Sequence, residues 1–212
     1  MKALLLPAAL ALAACSPAKK APAAVYVAPL AALNTSATGQ PASGEARFVL
    51  NGDRLVITVN ATGVPAGIAH WQHIHGFADG RAAGCPTMAA DTNADSLVDL
   101  IETGPLAGET MIPLNRDPVT MNIPQETYPV ASATGSLSYT DTVSFSALQQ
   151  AFAKHFPGQQ LSLDHRVVFL HGVPDSTRLP ATVASLGPIP AHVTLPIACG
   201  VLTAETQPTA TQ

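Results

Sequence analysis

The sequence predicts an all-β fold, a Greek-key β-sandwich or barrel with one short helix and long loops. Short apolar and β-branched segments recur along the chain, separated by turns drawn from 19 prolines and 15 glycines in 212 residues. Only one stretch, 147–156, carries a convincing helical pattern. No internal repeat is evident, and the length suits one such domain better than two.

The chain opens with Met1-Lys2 and an apolar run from Ala3 to Ala14, too short to span a bilayer and read as a secretory signal over 1–14. Leu12-Ala13-Ala14-Cys15 resembles the bacterial lipoprotein signal, which implies that Cys15 becomes the lipidated first residue and anchors the protein in the cell envelope. Ser16 is compatible with sorting to an outer membrane, facing the periplasm. Residues 15–24 then form a Pro/Ala/Lys tether, 25–203 the folded domain, and 204–212 a polar tail.

Within the domain, a first strand over 25–33 is followed by turn residues over 34–44. Strands 46–50 and 55–61 pair across Asn51-Gly52-Asp53, a strong hairpin signal, with Leu55, Ile57 and Val59 on the face opposite Val56, Thr58 and Asn60. Gly63 and Gly67 turn the chain into an extended segment over 70–77. Further strands are expected at 110–114, 132–142, 166–171 and 193–202, and Ser144 or Ser146 caps the helix that Pro157-Gly158 ends.

Charged residues make up only 11% of the chain. Without Lys2, nine basic residues stand against fourteen acidic ones, a formal charge of −5, and no basic patch exists for nucleic acid. With Cys15 assigned to lipid, Cys85 and Cys199 remain, and export places them where disulfides persist; a single pair has one connectivity.

The chemistry concentrates in His70-Trp71-Gln72-His73-Ile74-His75-Gly76-Phe77. In an extended chain His73 and His75 project from one face while Gln72 and Ile74 face the other way. Two imidazoles on one side of a strand make half a metal site, and imidazole is the commonest nitrogen ligand for copper and zinc. His171 ends an apolar strand just before Gly172, where a core-packing role is less expected. The chain then offers hard oxygen donors. Asp91, Asn93, Asp95, Asp99 and Glu102 occupy positions 1, 3, 5, 9 and 12 of an EF-hand calcium loop, with the Leu97 carbonyl at position 7 and Ser96 where glycine is usual.

His73-Ile74-His75-Gly76, then Gly84-Cys85, then Val167-Val168-Phe169-Leu170-His171, and finally Ala198-Cys199-Gly200-Val201-Leu202 stand in the order seen in the copper/zinc superoxide dismutase family. Over 25–202 the chain resembles that family, and it is similar to exported bacterial proteins of the related CHRD-like type. The resemblance implies a Greek-key β-sandwich, a Cys85–Cys199 disulfide, and copper rather than zinc on His73, His75 and His171. His192, seven residues before Cys199, is a candidate fourth ligand. Two departures shape the expectation. The family bridges copper to zinc through a histidine shortly after its G-C, and this chain has no histidine between His75 and His155. The family's substrate-guiding arginine corresponds to Pro196 here.

The leading expectation is a lipid-anchored, extracytoplasmic copper-binding protein serving binding, buffering or delivery, with calcium stiffening the loop that zinc stiffens in the family. A copper-only superoxide dismutase is the enzymatic alternative. A structural envelope protein with a vestigial site is the third. No catalytic residue is assigned.

Overall fold

The computed structural model describes residues 23–205; the signal, Cys15, most of the tether, and residues 206–212 lie outside the described residues. Nine strands follow in order: β1 (Ala24–Ala32), β2 (Ser43–Asn51), β3 (Arg54–Thr62), β4 (Gln72–Gly76), β5 (Glu109–Pro113), β6 (Ser136–Ser144), β7 (Val167–His171), β8 (Pro196–Val201) and β9 (Thr203–Ala204). Four helical segments join them: α1 (Thr35–Thr38), α2 (Leu100–Ala107), α3 (Phe145–His155) and α4 (Ala191–Thr194).

All strand pairs are antiparallel, in the order β5-β4-β7-β8-β1-β2-β3-β6, with β9 also on β1. The pivot is β1. Its residues 24–30 pair with β2, whereas Ala31 and Ala32 pair with β8, so the strand passes from one arm of the sheet to the other. The curled half-barrel encloses one core, in which Phe48, Leu55 and Ile57 from one arm meet Ile74, Val168 and Leu170 from the other.

The hairpin at Asn51 forms as the sequence predicts. Asn51 faces Arg54, leaving Gly52 and Asp53 as the whole turn, and Gly52 takes φ +62 in the position that a type II′ turn requires. On β3 the side chains of Leu55, Ile57 and Val59 are buried and Asn60 is exposed, the expected alternation. The Asp53 carboxylate reaches the start of α3, accepting from the Ser144 hydroxyl at 2.6 Å and the Ser146 N–H at 2.7 Å, while Ser144 caps the helix through the Ala147 N–H. α3 therefore begins two residues before the expected start.

Two further elements depart from expectation. α2 is a second substantial helix where the sequence suggests only a loop. Asp99 accepts from the N–H groups of Ile101 and Glu102, and Glu102 returns to the Asp99 N–H, a capping box strong enough to start a helix despite Pro105. Gly108 ends it at φ +75, where a Cβ would lie 2.0 Å from the Gly76 carbonyl oxygen, so glycine alone lets α2 run into β5 beside β4. At the other end of the chain, α4 takes residues 191–194 and the last long strand starts only at Pro196.

The β5-β4-β7-β8 arm is covered on both faces. Ile74, Val168 and Leu170 enter the main core, and Val167, Phe169 and Cys199 pack outward against Leu33, Ala83 and Ala107 in a smaller cluster. This double burial explains why β7 reads as an unbroken apolar run rather than an alternating one. The smaller cluster is tied down by a Cys85–Cys199 disulfide, Cα to Cα 5.7 Å, across a sequence separation of 114. Such a bond points to an oxidising, extracytoplasmic compartment. Among the described residues no helix is long and apolar enough to cross a membrane.

Candidate metal centre

β4 lies between β5 and β7, with His73 opposite Phe169 and the His171 N–H bonded to the Trp71 carbonyl. Period-two alternation then puts His73, His75, Phe169 and His171 on the same outer face. The pairing carries irregularities at two points, between Ile74 and His75 on β4 and between Leu170 and His171 on β7. Both adjoin a histidine of this face. Bulges re-aim side chains in this way.

The result is a trio. One nitrogen from each of His73, His75 and His171 lies within 4.8 Å of the others, and the ring centroids are 5.2 to 5.9 Å apart. Among the described residues no other set of three or more His, Cys, Asp or Glu side chains converges like this, and no fourth such side chain joins it.

The hydrogen bonds around the trio decide what it can do. Tyr128 donates its only proton to the Ile123 carbonyl at 2.8 Å, so it must accept from His73 Nε2, also at 2.8 Å. His73 therefore carries its proton on Nε2 and turns a bare Nδ1 toward its neighbours. His171 Nδ1 lies 2.8 Å from the Thr194 carbonyl, which can only accept, so Nε2 is the bare nitrogen there. His75 places Nε2 3.2 Å from the Thr110 hydroxyl. In each ring one nitrogen is oriented by a protein partner, and the other, buried, has none: His73 Nδ1, His75 Nδ1 and His171 Nε2. Leaving a buried acceptor without a partner costs about 1–3 kcal/mol each. Three clustered imidazoles, each with a buried nitrogen that has no protein partner, fit a transition metal, with the opposite nitrogens of His73 and His171 held as ligand histidines usually are.

The electrostatics agree. Burial, reinforced by the mutual proximity of the rings, holds His73 and His75 well below the usual imidazole range. Burial likewise pushes His171 down to about 4, against an opposing hydrogen bond to Thr194. The trio is neutral at neutral pH, the state in which imidazole binds metal. Aromatic rings pack around it: Trp71 stacks on Tyr128 at 5.2 Å, and Phe169 lies 4.8 Å from His75.

The other histidines stand apart. His192, the candidate fourth ligand, sits on α4, partly exposed, in a surface groove with Asp175 and Val193. His70 is fully buried behind the site, with Nδ1 3.0 Å from the His171 carbonyl and Nε2 2.8 Å from the Pro65 carbonyl. His165 reaches the Gly80 carbonyl, and His155 bonds the Ala151 carbonyl on exposed α3.

The acidic loop is held by its own backbone and by the segment at 182–184, where the Thr182 hydroxyl donates to Asp95. Asp91 accepts from the N–H groups of Asp95 and Ser96, Asn93 from that of Asp95, and Asp95 from that of Leu97. Ala94 and Ser96 adopt φ +59 and +69, the left-handed bends of a tight loop. Glu102 caps α2 and accepts from the N–H groups of Thr92 and Asn93, while the second Asp99 oxygen accepts from the Ala184 N–H. The side chains of Asp91, Asp95, Asp99 and Glu102 are thus each engaged with N–H groups rather than gathered on one point. Sequence reasoning missed the partners of the trio. Tyr128 and Thr194 lie in irregular or single-turn segments, where no periodicity marks them.

No family model matches this chain, and no curated protein matches it as a relative.

Proposed function

We propose that this protein holds a single copper ion on His73 Nδ1, His171 Nε2 and the His75 imidazole, and that it binds, buffers or delivers copper in the cell envelope, anchored there through lipidated Cys15. The convergence of three buried, unpartnered nitrogens whose opposite nitrogens are already held carries this reading. Neutral imidazoles with no thiolate or carboxylate among them suit copper, and divalent copper heads the affinity order for such sites. The strand order, with crossings from β3 to β4, from β5 to β6 and from β6 to β7, supports reading the fold as a superoxide dismutase-like Greek-key sandwich. Bound here, copper would supply one-electron chemistry at a centre with an open coordination position.

Copper-only superoxide dismutase activity is the second reading, favoured by that open position. Against it stand Pro196 in place of the guiding arginine and the lack of any lysine or arginine around the site. The decisive experiment is electron paramagnetic resonance of the copper-loaded protein, with a superoxide assay on the same sample. Hyperfine coupling to three nitrogens and little superoxide turnover are expected. A spectrum with oxygen ligands only would refute the three-histidine centre, and rapid turnover lost in His171→Ala would move the assignment to the enzyme.

The loop over 91–102 takes calcium as a structural ion in this reading. Its spacing of oxygen donors and its left-handed bends at Ala94 and Ser96 support it. Glu102 would turn from Thr92 and Asn93 to do so.

A further inference from the structure

The trio opens into a cavity of about 230 Å³. This is below the ~300–1,000 Å³ of sites for drug-sized ligands, and it has room for one ring rather than a large molecule. Trp71, Leu100, Ile123 and Leu186 supply its apolar walls. No lysine or arginine lines it, and its one charged lining residue, Glu109, is an exposed carboxylate. Thr103 gives its hydroxyl proton to the Leu100 carbonyl at 2.9 Å, and Thr194 to the Ala191 carbonyl at 3.4 Å, so both oxygens keep only acceptor capacity.

These walls select by chemistry. Apart from the metal's own charge, the walls offer a small anion no cation to offset its lost hydration, and they add a carboxylate of its own sign. A neutral aromatic ring buries its faces against Trp71 and the aliphatic side chains. A ring that also carries a lone pair at one edge and an N–H at another can meet the metal and the threonine acceptors without gaining or losing a proton. An azole has this arrangement; a phenol coordinates best as an anion, which walls with one carboxylate and no lysine or arginine do nothing to favour.

Resting on the copper reading, we infer that the cavity admits a neutral azole ring, free or carried by a peptide, as an exogenous fourth ligand to the metal on His73, His75 and His171. The same chemistry serves a small azole or the histidine side chain of a partner that hands over or collects copper. For delivery, the ring enters where the trio leaves its coordination open.

The test titrates the copper-loaded full-length protein with 4-methylimidazole, with a blocked Gly-His-Gly peptide, and with azide, following the visible and paramagnetic resonance spectra and the copper retained after desalting. Expected is a saturable spectral shift with 4-methylimidazole at least tenfold tighter than with azide. Leu186→Trp narrows the cavity at a side chain already 46% exposed, so folding is spared. It should weaken azole binding about tenfold and leave copper content unchanged. A peptide that binds as tightly as the free ring supports a protein-borne ligand, and preference for the free ring supports a small molecule. Azide binding as tight as azole binding, or a Leu186→Trp variant with unaltered azole affinity, overturns the inference while leaving the copper centre standing. Failure of the wild-type protein to retain any copper overturns the centre itself and the azole site with it.

Discussion

The bond between His73 and Tyr128 has a direction fixed from outside the pair. Because the Tyr128 hydroxyl donates to the Ile123 carbonyl, it can only accept from His73 Nε2, and this sets which His73 nitrogen faces the trio. Tyr128→Phe removes that acceptor and frees the ring to flip or change tautomer. Copper affinity measured by chelator competition should fall about 10- to 100-fold, the usual effect of losing a partner that orients a metal ligand. Folding stability should drop by about 1–3 kcal/mol, because the buried His73 N–H loses its acceptor. Unchanged affinity would show that His73 is oriented by packing against Trp71 instead.

Acid should destabilise the metal-free protein earlier than carboxylate chemistry alone would. His171 takes a proton near 6.5 in an unfolded chain but only at about 4 in the fold, so between those values the unfolded state binds more protons. Stability is full above the upper value and is lost as pH falls through this window. For His171 alone the loss is on the order of 3 kcal/mol, and His73 and His75 shift in the same direction. Denaturant unfolding of metal-free protein between pH 7.5 and 4.5 checks this, with a flatter profile expected for His171→Ala. A wild-type profile that is flat across the window would contradict the buried, neutral trio.

The Cys85–Cys199 bond closes a loop spanning 114 residues and pins the small outer cluster beneath the site. In the chain-entropy model such a link contributes about 4 to 5 kcal/mol. Reduction, or the Cys85→Ser/Cys199→Ser pair, should lower the denaturation midpoint by a corresponding amount without changing the metal ligands. Equal stability of oxidised and reduced protein would mean that the outer cluster holds by packing alone.

Much of this was legible in the sequence, and the limits follow from physics. Period-two alternation located His73 and His75 on one face, and the Asn51-Gly52-Asp53 turn fixed the β2–β3 register. The end of an apolar run marked His171. Pairing between β4 and β7 is long-range, so the diagonal that brings His171 to His73 has no local signal, and the motif order of the resemblance supplied it. The Asp99-to-Glu102 spacing was ambiguous in a specific way: the same two residues serve as calcium-loop positions and as a helix capping box, and only the structure displays the helix. Tyr128 belongs to a long irregular segment, where neither periodicity nor turn chemistry distinguishes a hydrogen-bond partner from a packing residue.

Ser96 offers a separate handle on the acidic loop. At φ +69 it occupies a conformation that favours glycine, so Ser96→Gly should raise thermal stability by about 0.5–1 kcal/mol and tighten calcium binding, both read by calorimetry. Asp91→Ala should abolish the calcium response and also loosen the loop, because Asp91 holds the N–H groups of Asp95 and Ser96. If calcium has no effect on the wild type and Ser96→Gly is stabilising all the same, the loop is held by its own hydrogen bonds and the calcium assignment falls.

The central claim is best tested by metal content. The protein is exported to an oxidising compartment, purified, and analysed for copper, zinc and calcium beside a His73→Ala/His171→Ala variant. About one copper per chain in the wild type and none in the variant, with both forms folded and disulfide-bonded, is the expected result. Equal copper in the two forms, or no copper or zinc in either, would contradict a centre built on His73, His75 and His171.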